Sequence, residues 1–406
     1  MKIGIIGAGP AGIMAALEAC CSGAQVVLMD ANPSIGRKLA ATGSGRCNLT
    51  NTNISPSRYH SASSEFVKQA LSQFGHKELL AWLKTHAIFT YATQDGWVYP
   101  ITDSAANVVD LLNAQVMEAG VELHLQTLIT DIQKDNDRFI LHTADVQRSF
   151  SVDKVIVATG GPAYPQLGAR ENIYSILKKL GHTILPVLPA LAPLETDMRP
   201  IHKLQGVRLD AGVTLLADDK KIGQTFGNII FTSWGLNGPG VMDLSYLVSL
   251  HVDSRLELQV DLIHGRADTL HGLLKSKSSS SMSVLVLLES FLPVKGARWA
   301  VEGQGLPLDT PMNKLNATEI NKLIGSLQNI KVNVKRTKGF RFSQLSTGGV
   351  SLHEVDSHNM QSKLIKGLYF AGEVLDVAGP CGGYNLQWAF TSGYIAGQGS
   401  ITIQEV

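Results

Sequence analysis

Ile3-Gly4-Ile5-Ile6-Gly7-Ala8-Gly9-Pro10-Ala11-Gly12 opens the chain, and Val26-Val27-Leu28-Met29-Asp30 follows a short way on. The first four residues form an apolar run of strand character. Ile13, Ala16, Leu17 and Cys20 then recur at helical spacing, and Gly23 stops that helix. The second apolar run ends on an acid. Strand, glycine turn, helix and strand in about 30 residues make a βαβ unit. In such a unit Gly7 permits the tight turn, Gly9 lets the backbone approach a pyrophosphate, and Gly12 allows close helix–strand packing. Pro10 and Ala11 complete the turn at the helix N-terminus, whose free N–H groups and positive dipole end favour phosphate. Asp30 stands where a carboxylate accepts from a ribose hydroxyl, with Ala31 beside it. The stretch therefore reads as a dinucleotide site, open at this point to NAD(H) or FAD.

Working outward, residues 31–60 are rich in Gly, Ser, Asn and Thr and read as one long irregular segment, a length that usually marks function. It contains Gly36-Arg37-Lys38 and Gly43-Ser44-Gly45-Arg46-Cys47-Asn48. A nicotinamide dehydrogenase would normally enter its next helix here. An extended, cationic, glycine-rich loop fits a larger ligand. Residues 65–86 read as two short helices. Ser104 reads as the N-cap of a helix that stops at Gly120. Glu122–Leu125, Leu128–Ile132, Phe139–His142 and Val155–Ala158 read as strands. Prolines then cluster at 186, 189, 193 and 200, and short strand-like runs follow at Val213–Leu216, Asn228–Phe231 and Leu256–Val260. Lys275–Ser283 reads as an exposed Ser-rich loop, and Val284–Leu292 and Ala317–Leu327 as helices. Strand character returns at Leu368–Ala371, and a helical pattern runs from Gly382-Gly383 through Ile395.

The chain has 406 residues, 44% apolar and 17% charged, with a net charge of +1. This is a globular composition, and it carries no basic excess for nucleic acid or an anionic membrane. No uninterrupted apolar stretch approaches the ~18 residues a membrane span needs. Its 39 glycines point to tight turns and backbone–ligand approach. Cys20, Cys21, Cys47 and Cys381 form no C-x-x-C pair, so neither zinc nor a disulfide framework is expected, and no spacing supports a redox pair of Cys47 and Cys381. No metal-ligand cluster or Ser–His–Asp order emerges, and no catalytic acid or base is assigned. The expected setting is cytoplasmic. The expected partner is a small-molecule substrate, with no nucleic acid and no membrane.

Gly36-Arg37-Lys38 followed by Gly45-Arg46-Cys47-Asn48 resembles the first signature of the NAD(P)/FAD-dependent oxidoreductase family of flavoproteins, of the aminoacetone oxidase and bile-acid dehydro-reductase type. Gly367 to Gln387 resembles its second signature. Ala158–Pro165, Phe231–Pro239 and Ser346–Val350 are similar to family blocks in the same order. The resemblance covers nearly the whole chain. It implies an α/β fold: a glutathione-reductase-type FAD-binding Rossmann domain with an inserted β-barrel-like domain carrying a helical lobe. The expected division is 1–188 and 336–406 for the FAD domain and 189–335 for the insert, the lobe spanning about 262–328. FAD is the implied cofactor, with NAD(P)H as a transient co-substrate. Flavin N5 would pass a hydride between a reduced nicotinamide or small organic substrate and a second acceptor or O2. A flavin-binding scaffold without turnover and an NAD-dependent dehydrogenase lacking flavin stay open as alternatives.

The resemblance also implies roles. The adenine would lie along the backbone of Ile129. Thr159, Gly160 and Gly161 would line the nucleotide, with Tyr164 nearby. Gly372 and Glu373 would meet the ribityl and pyrophosphate portion. Gly382, Gly383, Asn385 and Leu386 would begin the last helix, whose positive end would face the N1–C2=O edge of the flavin. Tyr164, Trp234 and Tyr384 are aromatic candidates for a substrate pocket. The chain departs from the pattern at Ala169–Ile173, at Asn237 in place of a common serine, and at Ala378 in place of a common acid.

Overall fold

The computed structural model describes residues 1–401, and residues 402–406, which the expected last domain segment includes, lie outside them. Cα proximity divides the chain into two compact units, one made of Met1–Leu188 and the segment from Gln344, the other of Pro189–Ser343.

The first unit is built on a parallel sheet. Strand β1 (Lys2–Ile6) is followed by helix α1 (Pro10–Cys21) and strand β2 (Gln25–Met29). In the five-stranded sheet β1 lies between β2 and Lys154–Val157, with Glu122–His124 and Leu368–Phe370 at the edges. Ile3, Ile5, Val27 and Leu28 are essentially inaccessible, as expected of strands covered on both faces. The last helix, Tyr384–Ile401, packs on α1. Its small residues make that possible: a Cβ at Gly393 would collide with the Ala11 carbonyl, and one at Gly397 would lie 2.8 Å from the Ala15 carbonyl.

The segment 31–60 is more ordered than its composition suggests. It holds a helical turn at Arg37–Ala40, strand β3 (Thr50–Asn51) and a short strand at His60–Ser61. Strand β3 joins a hairpin formed by β4 (Thr90–Ala92) and β5 (Trp97–Pro100) in a three-stranded antiparallel sheet. That hairpin was not legible, because Thr93-Gln94-Asp95-Gly96 and Pro100 mask its alternation. The helix Asn172–Lys179 and the strand Ser149–Val152 also escaped the sequence reading.

The second unit is a closed antiparallel barrel of six strands: Leu194–Thr196, Gly235–Asn237, Lys220–Phe231, Arg208–Ala217, Leu256–Asp261 and Ile330–Thr337. Closure leaves no open sheet edge. A helical lobe lies between its last two strands, at Ala267–Ser276, Val284–Leu288, Val294–Gly303 and Ala317–Gln328. The helix expected to reach Leu292 stops at Leu288. Each unit has its own apolar core. Among the described residues no helix is long and apolar enough to cross a membrane.

Candidate cofactor site

The three glycines of the first turn differ in what surrounds them. A Cβ on Gly7 would strike the Ala158 carbonyl, and one on Gly12 would collide with the Gly7 carbonyl. Those two are demanded by chain-on-chain approach. A Cβ on Gly9 would meet nothing within 4 Å. Gly9 is also the N-cap of α1, has no side-chain cap bond, and precedes Pro10 at the first helical position. The helix therefore ends on an opening with backbone donors around it, which fits the pyrophosphate of a dinucleotide.

Asp30 has a role the sequence did not show. Its Oδ2 accepts from the Ala8 N–H at 2.7 Å, and its Oδ1 accepts from the Asn32 N–H at 2.7 Å. The carboxylate thus fixes the glycine turn to the end of β2. Each oxygen retains a lone pair for a ribose hydroxyl. Ala31, next in the chain, is half-buried.

Lys38 and Glu373 meet across a long sequence separation. The Lys38 ammonium lies 2.6 Å from Glu373 Oε2. Glu373 Oε1 accepts from both the N–H and the hydroxyl of Ser346, at 2.8 and 2.7 Å. A Cβ at Gly160 would lie 4.0 Å from the same carboxylate, whereas one at Gly161 would collide with the Ser346 hydroxyl. Lys38, Gly160, Gly161, Ser346 and Glu373 are therefore one cluster. Ser346 stood within a family block, but nothing in its spacing marked it as a partner of Glu373. Thr159 is half-buried beside them, and Arg37 is half-buried at the start of its helical turn.

The glycine loop runs through an unusual backbone. Gly43, Ser44, Gly45 and Cys47 all have positive φ, a conformation that costs side-chain-bearing residues energy. Arg46 is exposed, with its guanidinium 4.3 Å above the Tyr99 ring and donating to the Tyr99 hydroxyl at 3.1 Å. Cys47 is buried, and burial pushes its thiol up to about 12. Such a thiol is not a ready nucleophile. Asn48, with its amide turned to suit its neighbours, donates to the Thr50 carbonyl at 3.0 Å and accepts from the Gly383 N–H at 3.2 Å.

The second signature is anchored to the first by β3. Asn51 donates to the Gly382 carbonyl at 2.9 Å, and the Thr50 hydroxyl donates to Gln387 Oε1 at 2.5 Å. Gly382 and Gly383 have φ of 106° and 93°. A Cβ at Gly383 would collide with the Thr50 carbonyl. The crowding that demands a glycine there comes from β3. Asn385 accepts from the Gly379 N–H and donates to the Gly379 carbonyl, so it shapes the loop before the helix. Leu386 is half-buried against the core. Gly372 has φ of 79°, donates to the Ser392 hydroxyl and would press a Cβ onto Ala11.

Ile129 is buried, and its carbonyl accepts from Asn172 Nδ2 at 3.0 Å. Tyr164 occupies the left-handed region at φ 62°, and burial raises its phenol. Tyr384, an aromatic candidate for the substrate pocket, is 2% exposed and donates to the Asn53 carbonyl; it is a packing residue. Trp234 belongs to the barrel unit, where the Lys338 ammonium lies 3.9 Å from its ring.

The family described as HI0933-like protein Rossmann domain matches residues 1–399. A 3-dehydro-bile acid delta(4,6)-reductase of Clostridium scindens is 34% identical over 98% of both chains. Ribosomal RNA dihydrouridine synthases of Haemophilus influenzae and Escherichia coli are each 30% identical, over 96% of both chains for the former and over 97% of this chain and 96% of the relative for the latter. A solved 3-ketosteroid-delta4-(5alpha)-dehydrogenase from Rhodococcus jostii RHA1 shares the fold at a TM-score of 0.52 and 14% identity, covering 99% of this chain and 97% of that one.

Proposed function

The chain belongs to the HI0933-like family and is an FAD-dependent oxidoreductase, and on that premise we propose that it saturates a ring carbon–carbon double bond conjugated to a carbonyl, with NAD(P)H as the electron source. The observation that carries the dinucleotide part of this reading is the opening at Gly9, where a helix N-terminus meets a turn with no side chain in the way. FAD, when bound, supplies two-electron hydride transfer between the donor and the acceptor.

The chain's own residues do the holding. Gly7, Gly9, Pro10, Ala11 and Gly12 would cradle the pyrophosphate, and Asp30, which fixes that turn, would accept from the ribose. The backbone of Ile129 meets the adenine. Thr159, Gly160 and Gly161 line the nucleotide, and the Lys38–Glu373–Ser346 cluster holds the loop against it. Asn48 and Asn51 hold Gly382 and Gly383 in place, and the first turn of the last helix would offer its positive end to the flavin ring. A helix end so placed would favour negative charge there.

The substrate class is supported by what the relatives' names share. One is a delta(4,6)-reductase and two make a dihydro base; each name describes a ring that gains hydrogen. The net charge of +1 gives no footprint for an RNA backbone, which favours the small substrate. The test is anaerobic. The flavoprotein is reduced with NADH or NADPH, then mixed with 4-androstene-3,17-dione or with a uridine-containing ribosomal RNA fragment. Reoxidation of the flavin by the ketone, with a product heavier by two hydrogens, is expected. Reoxidation by the RNA alone would move the substrate to a base. Reduced flavin that neither compound reoxidises would end the reductase reading and leave a flavin-bearing scaffold.

A further inference from the structure

From Ile320 to His353 the chain carries no acid and six cations: Lys322, Lys331, Lys335, Arg336, Lys338 and Arg341. In a chain of net charge +1 this is a local excess. Along the barrel strand Ile330–Thr337 neighbouring strands answer it. The Lys331 ammonium lies 3.7 Å from Glu257, and Arg336 Nε donates to Glu195 Oε2 at 2.8 Å. Lys338, just past the strand, is held differently. Its ammonium lies 3.9 Å from the centre of the Trp234 ring and 4.6 Å from that of Phe342. Among the described residues no carboxylate comes within ion-pair distance of it.

Both sides of this clamp are fixed by the backbone. Trp234 stands in a turn closed by Thr232, whose N–H and hydroxyl donate to the Gly235 carbonyl at 2.9 and 2.8 Å. The loop that carries Lys338 and Phe342 starts where the Lys338 N–H donates to the Pro193 carbonyl at 2.9 Å. It turns at Gly339, which has φ of 72° and whose carbonyl accepts from the Phe342 N–H at 3.1 Å and from the Ser343 hydroxyl at 2.9 Å. The strand Leu194–Thr196 pairs with Gly235–Asn237 on one side and with Ile330–Thr337 on the other, and so ties the turn to the loop. Two rings position an ammonium but leave its three strong donors to another partner. Phe342 is 44% exposed, so an open ring stands beside a cation with donors to give. That pairing is complementary to a planar ring that carries an anion. The charge added by the loop suits one compact anion; a phosphodiester chain would need the strand cations that Glu195 and Glu257 already engage. A nicotinamide dinucleotide has to be held by side chains of this kind, because the glycine turn of the dinucleotide pattern occurs once and is assigned to FAD.

We propose that this clamp seats the 2′-phosphorylated adenosine end of NADPH, with the adenine against Phe342 and the phosphate on Lys338. The proposal rests on the reading of NAD(P)H as electron source and makes it specific: NADPH is the donor in preference to NADH, and Lys338 is the residue that tells them apart.

Binding, without turnover, tests it. The oxidised flavoprotein is titrated in a calorimeter with 2′,5′-ADP and with 5′-AMP, which differ only in the 2′-phosphate. Wild type is expected to bind the first at least about tenfold more tightly, the worth of a hydrogen bond to a charged group. Lys338→Met should remove that preference and Lys338→Arg should keep it, each with FAD content unchanged. Phe342→Ser should weaken both probes alike. Lys322→Met, which removes a charge of the same stretch from the helix Ala317–Gln328, is the control and should behave as wild type does. Equal affinity of wild type for the two probes overturns the proposal, and so does a preference that survives in Lys338→Met. Anaerobic reduction of the flavin separates the premise from the proposal. Reduction by NADH as readily as by NADPH, with no phosphate preference in binding, leaves the oxidoreductase reading standing and ends the clamp; a flavin that neither nicotinamide reduces ends both the donor reading and the clamp.

Discussion

Gly9 and Gly383 carry the same letter for opposite reasons. Gly9 has ordinary φ of −80° and open space around it, so the fold does not demand its glycine, whereas the proposed pyrophosphate would. Gly383 has φ of 93° and the Thr50 carbonyl in the way, so its side chain is missing for the sake of the fold. Gly9→Ala should leave thermal stability of the flavin-free protein within about 0.5 kcal/mol of wild type while weakening FAD binding. Gly383→Ala should destabilise the flavin-free protein by roughly 1–3 kcal/mol, from left-handed strain and overpacking. Thermal unfolding and flavin retention after dialysis separate the two; a Gly9→Ala protein that keeps FAD as tightly as wild type would remove Gly9 from the site. Asp30→Ala should weaken FAD binding by about 1–3 kcal/mol, the range for a lost charged hydrogen bond. Part of that loss acts through the Ala8 N–H that Asp30 holds.

At the scale of elements, the βαβ unit was legible because strand, turn, helix and acid arrive in one order with one spacing. The hairpin β4–β5 was not, since its strands are short and its rings read equally well as scattered core. Nor was the meeting of Lys38 with Glu373, which are brought together only by the parallel sheet that separates them in sequence. Lys38→Met strands a carboxylate that is 12% exposed and should cost about 1–3 kcal/mol in stability. Adding Glu373→Gln should recover part of it; if the double variant is as unstable as the sum of both singles, the pair is not coupled. A second buried cluster gives a pH dependence. His182 is fully buried, with Nδ1 3.3 Å from Glu354 and Nε2 3.1 Å from the Ser362 hydroxyl. That hydroxyl already accepts from the Leu364 and Ile365 N–H groups, so it donates to Nε2 and the ring is neutral. Burial lowers the His182 pKa below its ordinary 6.5. The unfolded chain therefore binds the extra proton first. The stability is fully present above about pH 6.5 and is lost as pH falls toward the folded value. Denaturant unfolding from pH 7.5 to 5 should show this slope, and His182→Gln should flatten it. An unchanged slope in that variant would assign the effect elsewhere.

Over the whole molecule, an α/β unit interrupted by a β-rich insert was legible in outline, from the return of strand and glycine signals after a proline-rich change of texture, while the barrel form of the insert came only with the family resemblance. The helices Ala267–Ser276 and Val294–Gly303 were not, because their apolar positions are few and their ends unmarked. Among the described residues one glycine turn joins a strand to a helix in the dinucleotide pattern. A nicotinamide donor therefore finds no second pyrophosphate turn, and its affinity should be about 1 μM or weaker. Calorimetry reads this directly, and tight stoichiometric NAD(P)H binding would contradict it. The central claim is that the turn at Gly9 holds a flavin dinucleotide. Heat release of the cofactor from purified protein, followed by chromatography against standards, tests it most directly. FAD in stoichiometric amount is the expected result; FMN alone, or a nicotinamide dinucleotide with no flavin, would contradict the account.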